Sequence, residues 1–553
     1  MKLRIALLAA LVAVVPFTTH AQAGRAAYTR ADTLRGSYNT PQRSWWDVTF
    51  YDLHVAINPP DSSIKGYTGI TYRVVKPAQE LQVDLMVPLV VDSMLQDGKV
   101  LKHRRDGNAF FVTLVSPQRA GASKTLTVYY HGKPQPAKRP PWDGGYSWGV
   151  DSLRNPWIVS TDEGMGASVW WPNKDTEADE PDSMRIVTTV PDPLVSIGNG
   201  RLRSVRNNGD GTTTYEWFSV NPINNYAINV AIGKYDHFTE LYQGERGTLT
   251  MDYWPLAYHM DAAKAQWAQA RPMMQCFEHW FGPYPWYEDG YKLIEVSNNG
   301  MEHQSAVAYG NGFANGYRGR DASGTGYGMK WDFIIVHESA HEWFANNITF
   351  KDHADMWVHE SFANYAEALY TECQFGKQAG AEYAVGVRRG IRNDKAIEPP
   401  DRGVNANGSG DMYPKGGAML HTIRQIVNDD EKWRGILRGL NKTFWHQTVL
   451  GSQIKEYISK EAGKDLSKVF EQYLTTTKIP VLEYAVDAGS VKYRWANVVP
   501  GFNMPLKVRL AGDGYDWVQP TEQWQTAKYA GPANDFRVDV NFYVTAKNTG
   551  SAP

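Results

Sequence analysis

Two histidines and a glutamate in one stretch of the sequence have the side-chain types and spacing of a metal site. His337 and His341 are four residues apart within an apolar run, which on a helix puts both imidazoles on one face, one turn apart. Glu360 follows after eighteen further residues and supplies a carboxylate from a second helical segment. Zinc accepts nitrogen and carboxylate ligands, and a catalytic zinc leaves a fourth position open for water. We therefore predict a catalytic zinc site.

Glu338 directly follows the first histidine of this pattern. That position sets its carboxylate beside the water on the metal, where it serves as a general base. Apolar residues at 333–336 and 343–345 flank the histidines and predict one buried helix that continues beyond His341. The alternative is a buried helix whose histidines are hydrogen-bonded for packing only. The histidine pair together with Glu360 favours the metal site.

The elements around this site change along the chain from strands to helices and back to strands. Short alternating runs separated by turns fill residues 45–245 and predict a large antiparallel β-domain. The period becomes helical from Asp261, where Pro272 predicts a kink or a break, and a short strand at 293–297 and a glycine-rich loop at 310–328 then precede the helices of the metal-site pattern. Beyond Cys373 the chain is predicted to stay helical to about 475 except for a loop at 398–412. Alternating runs near the end, including 536–544, predict further strands.

These patterns predict a multidomain α+β protein. We expect an N-terminal antiparallel β-domain at 24–245, a mainly helical catalytic domain at 246–477 and a small C-terminal β-domain of the sandwich type at 478–553. The polar, turn-rich residues 24–43 are expected to form a loose lead into the first domain. A chain of 553 residues is too long for a single core, which agrees with several domains.

The first 23 residues have the pattern of a signal peptide. Lys2 and Arg4 precede an apolar run, and the sequence Ala-Gln-Ala at 21–23 offers a cleavage site. No later apolar run approaches the length of a membrane span. We therefore expect an exported protein, periplasmic or secreted. The formal net charge of -2 argues against nucleic acid or an anionic membrane as the main partner.

The sequence has two cysteines, Cys276 and Cys373. An oxidising compartment permits one disulfide between them. Because both lie in helix-like segments, we favour unpaired, buried thiols. In neither case is zinc held by cysteine.

Two further motifs accompany the metal-site pattern. The sequence NGMEH at 299–303 lies about 35 residues upstream of the first histidine, and YPKG at 413–416 lies downstream. With the two histidines and the glutamate eighteen residues on, the sequence resembles the aminopeptidase N family of zinc gluzincins, which includes leukotriene hydrolase. The resemblance covers nearly all of the chain after residue 23 and implies a thermolysin-like catalytic domain.

Carried over position by position, the resemblance assigns the metal ligands and the catalytic groups. His337, His341 and Glu360 match the ligands of one zinc ion per chain. Glu338 matches the general base, and Tyr413 matches the tyrosine whose hydroxyl stabilises the tetrahedral oxyanion.

The resemblance also assigns substrate-binding positions. Glu302 matches the glutamate that binds the free α-amine of the substrate, and Gly300 and Met301 precede it in the same motif. Glu163 resembles a β-domain glutamate that lines the first side-chain pocket and also contacts the amine. His303 stands where the family has an asparagine that aligns the substrate backbone.

Together these features predict a zinc-dependent aminopeptidase that removes N-terminal residues from peptides with a free N-terminus. Two alternatives share the motifs. One is a zinc hydrolase with another substrate, such as an endopeptidase or an epoxide-opening enzyme. The other is a secreted, non-catalytic protein that binds zinc, and the intact base, ligands and tyrosine argue against it.

Overall fold

The computed structural model describes residues 28–487 and 489–550. The predicted signal peptide at 1–23 lies outside these residues. Within them, none of the helices has both the length and the apolar character that crossing a membrane requires. The described chain has an N-terminal β region, a helical middle and a C-terminal β region, which confirms the predicted α+β class.

The chain enters the fold through a short helix, α1 (Arg30–Gly36), which the Thr29 side chain caps. Arg35 on this helix and Arg43 after it are buried and form ion pairs with carboxylates of the β region. The predicted loose lead at 24–43 is therefore wrong for the described residues. Two buried guanidinium groups tie this segment down, because an unpaired buried charge is costly.

The N-terminal β region consists of three sheets. The largest has the strand order β13-β14-β11-β1-β2-β8-β4-β5, the second β12-β15-β10-β9 and the third β3-β7-β6. The strands are β1 (Trp46–Asn58), β2 (Ser63–Val74), β3 (Ala78–Asp84), β4 (Val90–Gln96), β5 (Lys99–Val100), β6 (Lys102–Asp106), β7 (Ala109–Gln118), β8 (Ser123–Gly132), β9 (Gly145–Val150), β10 (Pro156–Thr161), β11 (Ser183–Pro191), β12 (Val195–Ile197), β13 (Arg201–Asn207), β14 (Thr212–Ser219) and β15 (Ala231–Gly233).

Alternation along these strands places one face of each sheet in the core. In β1, the side chains of Leu53, Val55 and Ile57 are buried, and the residues between them are more exposed. β1 pairs with β2 in the predicted antiparallel manner. Its other neighbour, β11, runs parallel to it, which the long connection between the two strands permits.

A five-stranded sheet joins the β region to the helices. Its order is β16-β17-β18-β20-β19, and the hairpin of β16 and β17 spans the predicted domain boundary at 245. Ile294 and Met301 pack into the core of the β region, whereas Leu293 and Val307 pack into the core of the helices. β19 therefore has a fixed position between two cores. The strands are β16 (Phe238–Gly244), β17 (Gly247–Trp254), β18 (Tyr291–Glu295), β19 (Gly300–Met301) and β20 (Val307–Tyr309).

The helical middle is built on a central helix, α5. The predicted break near Pro272 is present: one helix ends at Trp267, and the next begins at Ala270, so that the proline lies in the first turn. The elements are α2 (Met260–Trp267), α3 (Ala270–Phe281), α4 (Phe333–Ala340), β21 (Ile348–Phe350), α5 (Trp357–Phe375), α6 (Lys377–Gly386), α7 (Pro414–Val427), α8 (Asp430–Thr443), β22 (Gln447–Val449), α9 (Gly451–Ala462) and α10 (Ser467–Thr475).

The two cysteines form a disulfide between two of these helices. Cys276 lies in α3 and Cys373 in α5, and their Cα atoms are 6.0 Å apart. The prediction of unpaired thiols is therefore wrong. The two helices pack side by side, and the helical period of each segment by itself does not reveal that contact. The bond ties α5 to α3 near the C-terminal end of α5.

The C-terminal β region has a four-stranded sheet of order β27-β24-β23-β28 and a separate hairpin of β25 and β26. The predicted strand at 536–544 is wrong, because this segment forms only one isolated bridge, at Val538, before the last strand. The Tyr543 N–H donates to Thr422 and its carbonyl accepts from Tyr473, so its backbone bonds to helices. The strands are β23 (Val481–Asp487), β24 (Ser490–Ala496), β25 (Leu506–Val508), β26 (Asp516–Val518), β27 (Gln525–Lys528) and β28 (Thr545–Asn548).

Candidate active site

α4 carries His337, the first predicted metal ligand, and the second, His341, is the residue that caps its C-terminal end. The helix is shorter than the sequence predicts. The Asp332 carboxylate caps its N-terminus by accepting from the N–H groups of Ile334 and Ile335. The helix ends at Ala340, and the φ of -124° and ψ of 81° at Phe344 are not helical. The predicted continuation through 343–345 is therefore wrong, because the Phe344 carbonyl turns back to accept a hydrogen bond at the end of the helix.

The three predicted ligands converge on one point. The Glu360 Oε2 atom lies 3.7 Å from His337 Nε2 and 3.5 Å from His341 Nε2. The ligand atoms of all three residues lie within 4.8 Å of one another, and all three side chains are buried. Tetrahedral ligands at the zinc bond lengths would be about 3.3 Å apart. The observed separations are longer than good hydrogen bonds and close to those of atoms that share one ion.

The other ring nitrogen of each histidine is fixed by a hydrogen bond. His337 Nδ1 lies 2.8 Å from the Glu367 carboxylate, and His341 Nδ1 lies 3.0 Å from the Phe344 carbonyl. These partners hold the protons on Nδ1 and direct both Nε2 lone pairs to the point beside Glu360. Glu367 is in turn held by the Tyr383 hydroxyl at 2.7 Å.

The residues fit a zinc ion, because the site contains an acceptor with no partner. Glu360 Oε2 is buried and has no hydrogen-bond partner among the described residues. Burial lowers the pKa of His341 to about 4, so this imidazole is neutral with a free lone pair. Burial also opposes the charging of His337, yet Glu360 and Glu367 outweigh it and raise its pKa well above the ordinary value. A cation is thus favoured between His337 and Glu360.

A cleft of about 320 Å³ opens onto this point and brings together the predicted site residues except one. Burial raises the pKa of Glu338, the predicted base, to about 7. Gly300 approaches this residue so closely that a Cβ atom would lie 3.1 Å from Glu338 Oε1 and 2.9 Å from Ile334. The cleft is lined by His337, Glu338, His341, Glu360, Gly300, Met301, Glu302, Glu163 and Tyr413.

Two further carboxylates, those of Glu302 and Glu163, line the same cleft. Glu302, after β19, is almost fully buried, and Glu163 enters from the turn after β10. Burial raises the pKa of Glu302 and of Glu163, and nearby carboxylates raise both further. The Tyr226 hydroxyl donates to Glu302 Oε1 at 3.3 Å, and the Asn346 amide donates to the Glu302 carbonyl at 2.9 Å. A positive group of the ligand would satisfy the two carboxylates.

Tyr413 lies immediately before α7 and lines the cleft beside the proposed metal ligands. Its ring stacks on His337, with the two ring centroids 5.9 Å apart. Burial raises its pKa well above the usual range, so the hydroxyl keeps its proton. Gly416 explains the end of the YPKG motif, since a Cβ atom there would lie 1.9 Å from Ser361 Oγ.

The structure does not bring His303 to the cleft. Its side chain is fully buried, and neither ring nitrogen has a hydrogen-bond partner in the described part of the chain. It therefore cannot touch a substrate in the cleft. His359, next to Glu360, also points elsewhere: its Nε2 accepts from the Phe350 N–H at 3.0 Å.

Three cleft features are not predicted from the sequence. Glu367 lies two helical turns after Glu360, so helical spacing could have identified it. Trp142, which lines the cleft, and Tyr226, which bonds to Glu302, come from the β region, where no motif marks them. Only the packing of the β region against the helices brings Trp142 to the cleft and Tyr226 to Glu302.

Comparison with known proteins identifies relatives of the helical middle. Residues 267–473 match the family model of the Peptidase family M1 domain. The chain is similar to aminopeptidase N of Lactococcus lactis subsp. lactis, with 27% identity over 165 residues that make up 28% of this chain and 19% of that protein. It is also similar to probable aminopeptidase 2 of Sulfurisphaera tokodaii, with 22% identity over 321 residues, 56% of this chain and 40% of that protein. The chain thus spans two fifths or less of the length of these relatives.

Solved structures share the fold over most of the chain. An M1 zinc metallopeptidase from Deinococcus radiodurans matches with a TM-score of 0.68 at 21% identity, covering 81% of this chain and 98% of that one. A mutant M1 zinc metallopeptidase from the same organism, bound to a Tyr-Ser-Ala substrate, matches with a TM-score of 0.68 at 20% identity, covering 81% of this chain and 99% of that one.

Proposed function

Since its M1 peptidase domain places this chain in the aminopeptidase N family of zinc metallopeptidases, we propose that it is a zinc-dependent aminopeptidase. It removes the N-terminal residue from peptides that have a free α-amine. One observation carries this proposal. A single cleft joins the three convergent ligand atoms to two carboxylates, Glu302 and Glu163, that together call for a cation.

His337, His341 and Glu360 would hold one zinc ion per chain. When bound, zinc supplies a Lewis acid for the scissile carbonyl and lowers the pKa of water towards neutrality. The proposal is supported by the buried Glu360 Oε2 atom, which has no other partner in the described chain. The Glu367 carboxylate gives further support to the proposal, because its hydrogen bond to Nδ1 fixes the His337 ring in an orientation for metal binding.

Glu338 is the proposed general base. It lies at the cleft wall beside the ligands, and its pKa of about 7 is suited to taking a proton and returning it near neutral pH. It removes a proton from the attacking water and later delivers a proton to the amine that leaves. The close approach of Gly300 leaves no room for another side chain between this carboxylate and the strand.

Tyr413 is the proposed donor to the oxyanion. Burial raises its pKa well above the usual range, so the hydroxyl stays protonated, and its ring stacks on His337 beside the proposed metal site. A preorganised donor at that point stabilises charge that develops on the carbonyl oxygen during attack.

Glu302 and Glu163 set the register of cleavage. A free α-amine carries the positive charge that the two carboxylates call for, and it is present only at the end of a peptide. A blocked N-terminus would leave the buried Glu302 with the Tyr226 hydroxyl but no cationic partner, which costs binding energy. The bond next to the first residue is therefore the one held at the metal point.

We also propose that the chain is exported through the signal peptide predicted at residues 1–23, to the periplasm or the medium. The charged and apolar segments with their cleavage site support export. The disulfide between Cys276 and Cys373 also supports it, because disulfides persist in oxidising compartments.

A panel of aminoacyl chromogenic substrates tests the proposal. Each substrate is offered with a free amine and as its N-acetyl derivative, before and after treatment with a chelator. We expect hydrolysis of free-amine substrates only, with discrimination of at least about 100-fold, because the blocked form leaves a buried carboxylate unpaired. Chelation should abolish the activity, and added zinc should restore it. Equal cleavage of blocked peptides would instead identify an endopeptidase, and no metal-dependent hydrolysis would overturn the proposal.

A further inference from the structure

Trp142 is a large aromatic side chain left open at the cleft. It is 58% exposed and lines the cleft from the side of the β region. In the described part of the chain, no other aromatic ring stacks on it and no cation lies over it. Most large aromatic side chains lie in the interior, so one held open beside a proposed substrate site indicates a contact with ligand.

The loop that carries Trp142 is restrained by its own hydrogen bonds. The Asp143 carboxylate accepts from the N–H groups of Lys138 at 2.9 Å and Arg139 at 2.7 Å. The Trp142 N–H donates to the Arg139 carbonyl at 3.1 Å, and Pro141 fixes the backbone just before it. A ring on a restrained loop loses little conformational entropy when a ligand covers it, which favours binding.

This loop packs against the turn that carries Glu163. A Cβ atom on Gly164 would lie 3.9 Å from the Trp142 carbonyl, and a Cβ atom on Gly144 would lie 2.9 Å from the Met165 side chain. The two segments are therefore in direct contact. Trp142 borders the cleft at the end where the Glu163 carboxylate enters it.

The helical side of the same cleft contributes two more rings. Tyr317 and Phe333 pack edge to face with centroids 5.1 Å apart, and Phe333 stacks on His337 at 5.1 Å. These rings are fixed relative to the metal ligands. A side chain of the substrate in this cleft would meet aromatic surface from both the β region and the helices.

Resting on the aminopeptidase function above, we propose that Trp142 is a specificity-determining residue. Its indole packs against a large apolar or aromatic side chain on the first residue of the substrate. The α-amine and that side chain share one carbon atom, so binding the amine at Glu163 and Glu302 brings the side chain within reach of the indole. Burial of apolar surface drives the contact, and an aromatic pair adds to it. Alanine in the first position leaves the indole uncovered.

Steady-state kinetics of the full chain test this assignment. The ratio of kcat/KM for phenylalanyl p-nitroanilide to kcat/KM for alanyl p-nitroanilide is measured in the wild type, Trp142→Ala and Trp142→Phe. We expect Trp142→Ala to lower the ratio about tenfold or more, and Trp142→Phe to restore part of it. Trp517→Ala is the matched control, because Trp517 is 40% exposed in the C-terminal β region, where Lys507 covers its ring. An unchanged ratio in Trp142→Ala would overturn the proposal.

A binding measurement separates this proposal from the proposed function. Phenylalanine amide and alanine amide are titrated calorimetrically into the same variants, loaded with zinc. We expect Trp142→Ala to weaken phenylalanine amide about tenfold relative to alanine amide, whether or not any substrate is hydrolysed. A wild type that binds both amides but hydrolyses no free-amine substrate would refute the function and leave the Trp142 contact standing. Equal weakening of both amides would refute the contact itself.

Discussion

The two walls of the cleft are built in different ways. The helical wall takes its proposed metal ligands from α4, from the residue that caps its C-terminal end and from α5, where helical spacing places the side chains. The wall from the β region takes Trp142 and Glu163 from two separate turns, and Tyr226, in a short 3-10 helix, holds Glu302 by a hydrogen bond. The helical wall is thus determined by local geometry and the other by long-range packing. A local motif can specify chemistry, whereas the shape that selects a substrate depends on the whole fold.

A buried charge network holds the second wall in place. Arg35 of α1 donates to the Gly164 carbonyl at 3.1 Å and pairs with Asp175 at 3.3 Å and with Glu177. A Cβ atom on Gly166 would lie 2.2 Å from the Arg35 side chain, so the turn after β10 closes tightly around this guanidinium. The first helix of the described chain therefore fixes the turn that presents the cleft carboxylate.

The largest expected effect comes from breaking the helical wall at a ligand. Glu360 and Glu367 of α5 contact opposite nitrogens of His337. We expect Glu367→Gln to weaken zinc binding by about 10- to 100-fold, as loss of an outer hydrogen-bond partner does. Glu360→Gln should weaken it further and abolish activity, because a ligand charge is lost. Competition with a chromophoric chelator measures both affinities, and equal affinities in the two variants would contradict the assigned ligand.

A smaller effect is expected from loosening the wall of the β region. Arg35→Met removes a buried partner from Asp175 and Glu177, which should lower the free energy of unfolding by about 3 to 5 kcal/mol. Arg73→Met is the matched control, because the Arg73–Asp47 pair is exposed to solvent and its loss should change the free energy of unfolding far less. Urea-induced unfolding of both variants makes the comparison. A loss in Arg35→Met as small as that of the control would show that this network does not hold the turn.

The convergence of the three proposed ligands could be predicted in part from the sequence, because helical periodicity fixes that His337 and His341 share a face. His337, His341 and Glu360 lie where their spacing places them. The end of α4 could not be predicted in this way. The residues after His341 are as apolar as those of a buried helix. The chain nevertheless leaves the helical conformation at Phe344, whose carbonyl lies 3.0 Å from His341 Nδ1.

The wall of the β region could be predicted only in part. The resemblance to a family motif identifies Glu163, but Trp142 lies in a turn and Tyr226 in a short 3-10 helix, and the positions of both depend on partners far away in the sequence. The same limitation explains the error at Cys276 and Cys373, since each helix is visible in the sequence but their contact is not. Local patterns specify elements, and tertiary packing decides which elements meet.

The most direct test of the account is to compare zinc content and turnover in Glu338→Gln. This side chain lines the cleft beside the ligands without being one of them, so the substitution should leave zinc bound. The account predicts a wild-type zinc content together with a fall in kcat of about 10²- to 10⁴-fold on free-amine substrates, because the general base is lost. Turnover equal to that of the wild type, with zinc bound, would contradict the proposed mechanism.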